Sequence, residues 1–216
     1  MSVQKILALP RSLLINLYLF GIKGLEIPIL ISNKTKLKGI RRENVIVLKP
    51  AKFCIQIGFG GTEGVIENRY SILKIEGNGR VLFGGVVHIG AGSSIRIDAG
   101  TFYIGNDFYC NKNCFFSCSE SIKIGDHVLL GWNVSIRDSD GHTIIQNGVR
   151  REPKAEVNIG DHVWIASNVN VLKGVAVGRN SVVAYGSCLT KVFKEEKCLI
   201  GGIPGKVIKK NIEWEK

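Results

Sequence analysis

Three absences narrow the reading of this 216-residue sequence before any motif is sought. It has no CxxC pair among its six cysteines, only four histidines, and no long apolar run. Cys110, Cys114 and Cys118 have no matching His or Cys pair at finger-like distance, so no metal site is expected. The most apolar stretch, Leu13–Ile22, contains Asn16 and is about ten residues long, too short to span a bilayer. No segment has the pattern of a cleavable signal peptide, so the expected compartment is the cytoplasm, with reduced thiols. Acidic residues are scarce at one end: residues 1–50 hold nine Lys or Arg against Glu26 and Glu43, which is +7 of the net +11. A plain solvated face suits such an end, as does attraction to an anionic membrane or phosphorylated ligand. Nucleic acid is not an expected partner. The composition, 45% hydrophobic and 22% charged, is that of a folded globular chain.

What is present is a repeat. Ile159, Ile165, Val171, Val177, Val183 and Leu189 fall on a strict period of six, with Val163, Val169, Val175, Ser181 and Ser187 four residues behind. Upstream the same rhythm gives Ile124, Leu130 and Ile136, and before that Ile104, Cys110, Phe116 and Ile122. Weaker turns carry it back to about residue 72. A period of six fits neither a helix nor a long alternating strand. It fits short strands joined by sharp corners, and Gly, Asn and Asp cluster where such corners fall. Three hexads make one triangular coil of roughly 18 residues, and coils stack as parallel strands about 4.8 Å apart. The expected fold is therefore an all-β solenoid, a parallel β-helix with a short N-terminal helical segment. Its expected parts are an N-terminal segment at 1–71 (helix plus capping strands), the β-helix at 72–194 with a loop at 137–158, and a tail at 195–216. Cys110 and Cys114 then read as small core residues.

The rhythm stops between Ile136 and Ile159, where "RDSDGHTIIQNGVRREPKAEVN" is too polar for another coil. A solenoid that leaves its repeat usually does so at a working surface. His127 and His162 share the corner context "IGDHV", and His88 reads as facing outward from a strand. Only His142 lacks a place in the repeat. A neutral imidazole can take a proton from a hydroxyl as that oxygen attacks a carbonyl. Asp140 and Asp138 are the local candidates to hold its second nitrogen, and a backbone carbonyl would serve as well.

The repeat, its interruption and the ending "GGIPGKVIKKNIEW" together resemble the hexapeptide-repeat acyltransferases, in particular the galactoside and maltose acetyltransferase group and its polysaccharide-biosynthesis relatives. The resemblance implies a left-handed helix, a homotrimer with active sites between subunits, acetyl-CoA as donor and a carbohydrate acceptor. The family's general base, a histidine a few residues past the hexad "GWNVSI", falls on His142. "FYCNKN" matches a segment whose asparagine contacts the acceptor, which selects Asn111. Eight positions further on, where the sugar transacetylases carry an acid, this chain has Ser119 followed by Glu120, which leaves the acceptor open. Trp164 matches a tryptophan beside the pantetheine arm, and the backbone around Ser167 and Tyr185 would bond the pantetheine amides. The Ser167 N–H is a candidate oxyanion donor. Thr190 and Lys191 match a step near the CoA phosphates, and Lys206 and Lys209 lie in the tail that covers the adenosine.

These matches imply O-acetylation of a sugar hydroxyl in surface polysaccharide biosynthesis, or N-acetylation of a sugar amine or a xenobiotic on the same scaffold. A carbonic anhydrase-like hexapeptide protein would need three convergent histidines, which two corner residues do not supply. The opening "LPRSLLINLYLFGIKG" more loosely resembles the N-terminal segment of capsule and lipopolysaccharide acetyltransferases. Leu13, Leu14, Leu17 and Phe20 fall close to one helical face there, with Arg11 and Lys23 near its ends. Such a helix either caps the open end of the solenoid or lies peripherally on an anionic inner-membrane surface.

Overall fold

In a computed structural model that describes residues 1–215, the hexads form three sheets wrapped around one continuous core. Sheet I has nine strands, from Ile29–Ile31 to Lys206–Lys209. Sheet II has seven, from Thr35–Lys38 to Cys188–Leu189, and sheet III six, from Val45–Val47 to Ala176–Val177. The chain visits the sheets in turn, and each strand pairs in parallel with its counterpart one coil earlier. The exception is Lys206–Lys209, which runs antiparallel beside Leu199–Gly201.

The register explains the period. In sheet I the residues Ile57, Ile89, Cys110, Leu130, Ile165, Val183 and Ile200 lie one above another, all buried. Leu73, Ile95, Phe116, Ile136, Val171 and Leu189 make the matching column in sheet II. Each coil turns where one residue adopts a left-handed backbone: Asp107, His127, Asn133, His162, Asn168 and Asn180 have φ between 51° and 58°. Each of them follows the inward aliphatic residue by three positions. His127 and His162 are thus corner residues. Cys110, Cys114 and Cys118 are buried in the core. The Cys110 thiol beside it, together with burial, pushes the Cys114 thiol up, and burial next to Asp138 pushes Cys118 up to about 12. No thiolate forms there at neutral pH.

The stack begins at Ile29 rather than at residue 72: the strands of the first coil pair with those of the second across residues 29–83. Ahead of it lie two helices, α1 (Val3–Leu7) and α2 (Leu9–Phe20), and a short 3-10 segment, Gly21–Glu26. The side of α2 that meets the stack is not the leucine face expected from the sequence. It is Ser12, Asn16 and Leu19, with Ile15 and Phe20 packed against the core beside them, so that of the expected face Phe20 meets the stack while Leu14 is exposed. The reason is the open edge of sheet I. Ile31 N–H donates to Ser12 Oγ at 2.9 Å and Ile29 N–H to Asn16 Oδ1 at 3.0 Å. Asn16 Nδ2 donates in return to the Ile29 carbonyl at 2.7 Å. Two side chains therefore take the place of a missing strand. Asn16→Leu should lower the unfolding free energy by about 2–4 kcal/mol, because it strands a buried N–H and C=O. The exposed Leu14→Gln should cost under about 0.5 kcal/mol. Urea titration of both variants checks the pair, and equal midpoints would refute the cap.

The loop after Ile136 is an arm. Ala155 N–H donates to the Asp138 carbonyl and Asp140 N–H to the Pro153 carbonyl, both at 2.9 Å, closing its stem. Beyond the stem, Ile145–Gln146 and Val149–Arg150 form an antiparallel hairpin turned by Asn147 and Gly148, with φ of 52° and 76°. An Asn-Gly pair is suited to such a turn because both residues tolerate positive φ.

Candidate active site

Four of the sequence-selected residues come together. Asn111, Trp164, Ser167 and Tyr185 line a groove of about 480 Å³ at the corner between sheets I and II, with Tyr109, Leu129, Gly131 and Trp132. Trp164 belongs to the outward row Tyr109–Leu129–Trp164 of sheet I, so its indole stands over the groove wall. The groove is largely apolar, with a few polar groups at defined points.

Those points are main-chain donors. At successive coils Trp132, Ser167 and Tyr185 occupy equivalent corner positions. Trp132 N–H donates to Ser167 Oγ at 3.1 Å, the side chain one coil further on. Ser167 has only Tyr185 above it, whose phenol oxygen reaches away to accept from Asn168 Nδ2. Among the described residues, the Ser167 and Tyr185 N–H groups therefore have no acceptor. Gly131 keeps this corner open: a Cβ there would come within 2.3 Å of Ser167 Oγ and 2.6 Å of its nitrogen.

Asn111 is committed to a loop that the sequence reading passed over. The insertion at residues 58–70 leaves the second coil and crosses two coils. Thr62 N–H donates to Asn111 Oδ1 at 2.9 Å, and Asn111 Nδ2 donates to Thr62 Oγ1 at 2.7 Å. Neighbouring Asn113 accepts from Asn68 N–H and donates to the Ile66 carbonyl. His88 does point outward, as expected, yet it is half-buried: it stacks on Tyr109 at 5.0 Å and meets the Phe59 carbonyl through Nε2 at 2.9 Å. Burial lowers its pKa, which favours the neutral ring.

The remaining selected residues lie elsewhere. His142 sits on the exposed arm, just after the Gly141 turn (φ 81°), and makes no hydrogen bond among the described residues. The two aspartates do not hold it, which corrects the expectation for both. Asp138 is fully buried, and its carboxylate accepts from the N–H groups of Ser119, Glu120 and Ser121 at 2.8 Å. With its oxygens so engaged, it fastens the corner from which the arm departs. Asp140 pairs with Lys173 Nζ at 2.7 Å. Thr190 and Lys191 are exposed at the far end of sheet II, towards sheet III, and Lys206 and Lys209 are exposed on the last strand of sheet I. A second aromatic escaped the sequence reading: Trp214 in the tail stacks on His162 at 4.3 Å and lies 6.0 Å from Trp164.

The residues thus form two sets on opposite edges of sheet II. Asn111, Trp164, Ser167 and Tyr185 stand where sheet I meets sheet II. The His142 arm, Thr190 and Lys191 stand where sheet II meets sheet III. A strand of sheet II and its corners span about 15 Å, so the two sets do not meet within one chain.

Comparison with known proteins gives a consistent picture. The family described as bacterial transferase hexapeptide (six repeats) matches residues 156–191. The chain is 34% identical over 148 residues to a polysialic acid O-acetyltransferase of Neisseria meningitidis, covering 67% of this chain and 69% of that one. It is 34% identical over 110 residues to the galactoside O-acetyltransferase of Escherichia coli K12, covering 50% of this chain. The chain spans about half the length of several curated relatives: 53% of that enzyme and 57% of a Saccharomyces cerevisiae relative. The crystal structure of NeuO, a polySia-specific acetyltransferase, superposes with a TM-score of 0.51 at 25% identity over 88% of this chain and 79% of that one.

Proposed function

The chain belongs to the hexapeptide-repeat acetyltransferases, and from that membership we propose that it moves an acetyl group from acetyl-CoA to a sugar hydroxyl of a surface polysaccharide or its precursor. The observation that carries the reading is the separation of the two residue sets. One edge of sheet II offers an apolar groove with two unpaired N–H donors and no base. The other offers an exposed imidazole beside a smaller, more polar pocket of about 200 Å³ at the foot of the arm. Joined across a subunit boundary in a trimer, they complete each other. The arm has the character of a segment that docks: Ile144, Ile145 and Val149 beside His142 are each more than half exposed.

The groove fits an extended arm that carries amides. Trp164 and Leu129 supply apolar wall, and the N–H of Tyr185 meets an amide carbonyl. Bound acetyl-CoA supplies the thioester to be cleaved. His142 takes the proton of the acceptor hydroxyl as that oxygen bonds to the thioester carbonyl carbon. The N–H of Ser167 donates to the carbonyl oxygen as negative charge develops on it. His142 then returns the proton to the departing sulfur, so the imidazole is neutral again at the end of the cycle. The Cys114 and Cys118 thiols take no part, since the Cys110 thiol with burial holds the first protonated and burial holds the second, and Cys110 is enclosed in the core. Thr190, Lys191, Lys206 and Lys209 are exposed donors and cations suited to the phosphates and adenosine end of the cofactor.

The acceptor class rests on the relatives' names. Release of free thiol from acetyl-CoA, measured against matched hydroxyl and amino sugars and fractionated envelope glycans, tests it. Turnover confined to hydroxyl acceptors is expected. Turnover confined to amino sugars would move the protein to the N-acetyltransferases.

A further inference from the structure

The N-terminal cap turns two polar side chains, Ser12 and Asn16, inward beside Ile15, Leu19 and Phe20, and leaves its other large apolar side chains outward. Ser12 and Asn16 are consumed by the edge of sheet I. Leu7, Leu14, Tyr18, Ile22 and Leu25, in contrast, are each more than half exposed. An ordinary surface helix keeps such large apolar side chains off its solvent face. Isolated exposed leucines need no explanation, but five large apolar side chains in nineteen successive residues form a patch that calls for a cover. The polar work of capping fixes which side of α2 faces the stack, so these residues cannot be buried by rotating the helix.

The charges beside the patch indicate what covers it. No Asp or Glu precedes Glu26, while Lys5 and Lys23 do, as does Arg11, whose guanidinium donates to the Ser32 and Thr35 carbonyls. Arg42 from the first coil joins them: its guanidinium lies 5.8 Å from the Tyr18 ring and its Nε donates to the Tyr18 carbonyl at 2.7 Å. A second copy of the chain meeting this end would bring an identical basic rim against it, and like charges repel. A bilayer bearing anionic headgroups complements both features at once, with acyl chains for the apolar side chains and phosphates for the cations. Among the described residues no helix is long and apolar enough to cross a membrane, so contact would be at the surface.

We infer that the N-terminal cap is a peripheral docking surface for an anionic membrane. On this inference the solenoid stands with its first coil at the headgroups.

Flotation of the full chain with vesicles tests it. The chain should float with vesicles of phosphatidylglycerol and phosphatidylcholine in equal parts at low salt. Binding should weaken by about tenfold or more at high salt or on pure phosphatidylcholine. The double variant Leu14→Glu, Ile22→Glu should also lose about tenfold or more, with thiol release on a soluble acceptor unchanged. Lys23→Glu tests the charged half alone, without touching the apolar patch, and should reduce binding in the same direction. A full-length chain that stays with the unbound fraction on the anionic vesicles at low salt would overturn the inference, whether it is a lone trimer or a pair of trimers end to end. So would variants that float as well as the parent. The acceptor assay is independent of both results, so failure here leaves the proposed reaction standing.

Discussion

His142→Ala should lower turnover by about a hundredfold to ten-thousandfold and leave the fold and the binding of acetyl-CoA untouched. The separation of these effects follows from position. His142 is exposed on the arm and has no hydrogen-bond partner among the described residues, so its removal strands nothing. An exposed substitution of this kind changes stability by no more than about 0.5 kcal/mol. The groove proposed for the donor is at the opposite edge of sheet II, so KM for acetyl-CoA should hold while kcat falls. Steady-state thiol release across a range of acetyl-CoA concentrations checks both. Activity within a few-fold of the parent would make His142 a solvated loop residue and remove it from the chemistry.

Ser167→Pro should lower kcat by about a hundredfold to a thousandfold, whereas Ser167→Ala should cost only a few-fold. Proline removes the main-chain N–H at this position and alanine does not. Alanine removes only Oγ, whose visible task is to accept from Trp132 N–H. The pair therefore separates the main-chain donor from the side chain. Similar losses in both variants would place the effect in the Trp132 contact and leave the oxyanion without this donor. Sizing of both variants, with circular dichroism, distinguishes a lost donor from a broken corner.

The parts of this molecule visible in the sequence are those where coil geometry and residue choice coincide. From Ile104 to Leu189 the corners are nearly uniform, so Ile124, Leu130 and Ile136 mark successive sheets at a glance. The left-handed corner at a fixed offset likewise placed His127 and His162 correctly as turn residues. The first two coils, residues 29–83, obey the same fold with corners of unequal length, and the 58–70 insertion sits among them. Unequal corners erase a period without erasing a sheet, which is why the stack begins well before residue 72.

Near the site, family resemblance was the better guide and local pairing the poorer one. Asn111, Trp164, Ser167 and Tyr185, which the family resemblance selects for two different roles, line one groove. Asp138 and Asp140 lie beside His142 in sequence, but inward-outward alternation carries Asp138 into the interior, where three N–H groups hold it. A period can place a side chain inside or outside. It does not show that a buried carboxylate is claimed by a neighbouring coil. The outward apolar face of α2 was hidden for a related reason: Ser12 and Asn16 look like solvent-facing residues until the open edge of sheet I is in view.

The central claim, a site shared across a subunit boundary, is tested most directly by mixing two inactive chains. His142→Ala retains the groove and Ser167→Pro retains the arm. Co-expressed in equal amounts, they assemble at random, and about one boundary in four joins an intact groove to an intact arm. The unfractionated mixture should regain about a quarter of the parent's turnover, and purified mixed trimers about a third, although each variant alone has almost none. Mixed trimers no more active than the separate variants would show that groove and arm must belong to the same chain, and would contradict the shared site.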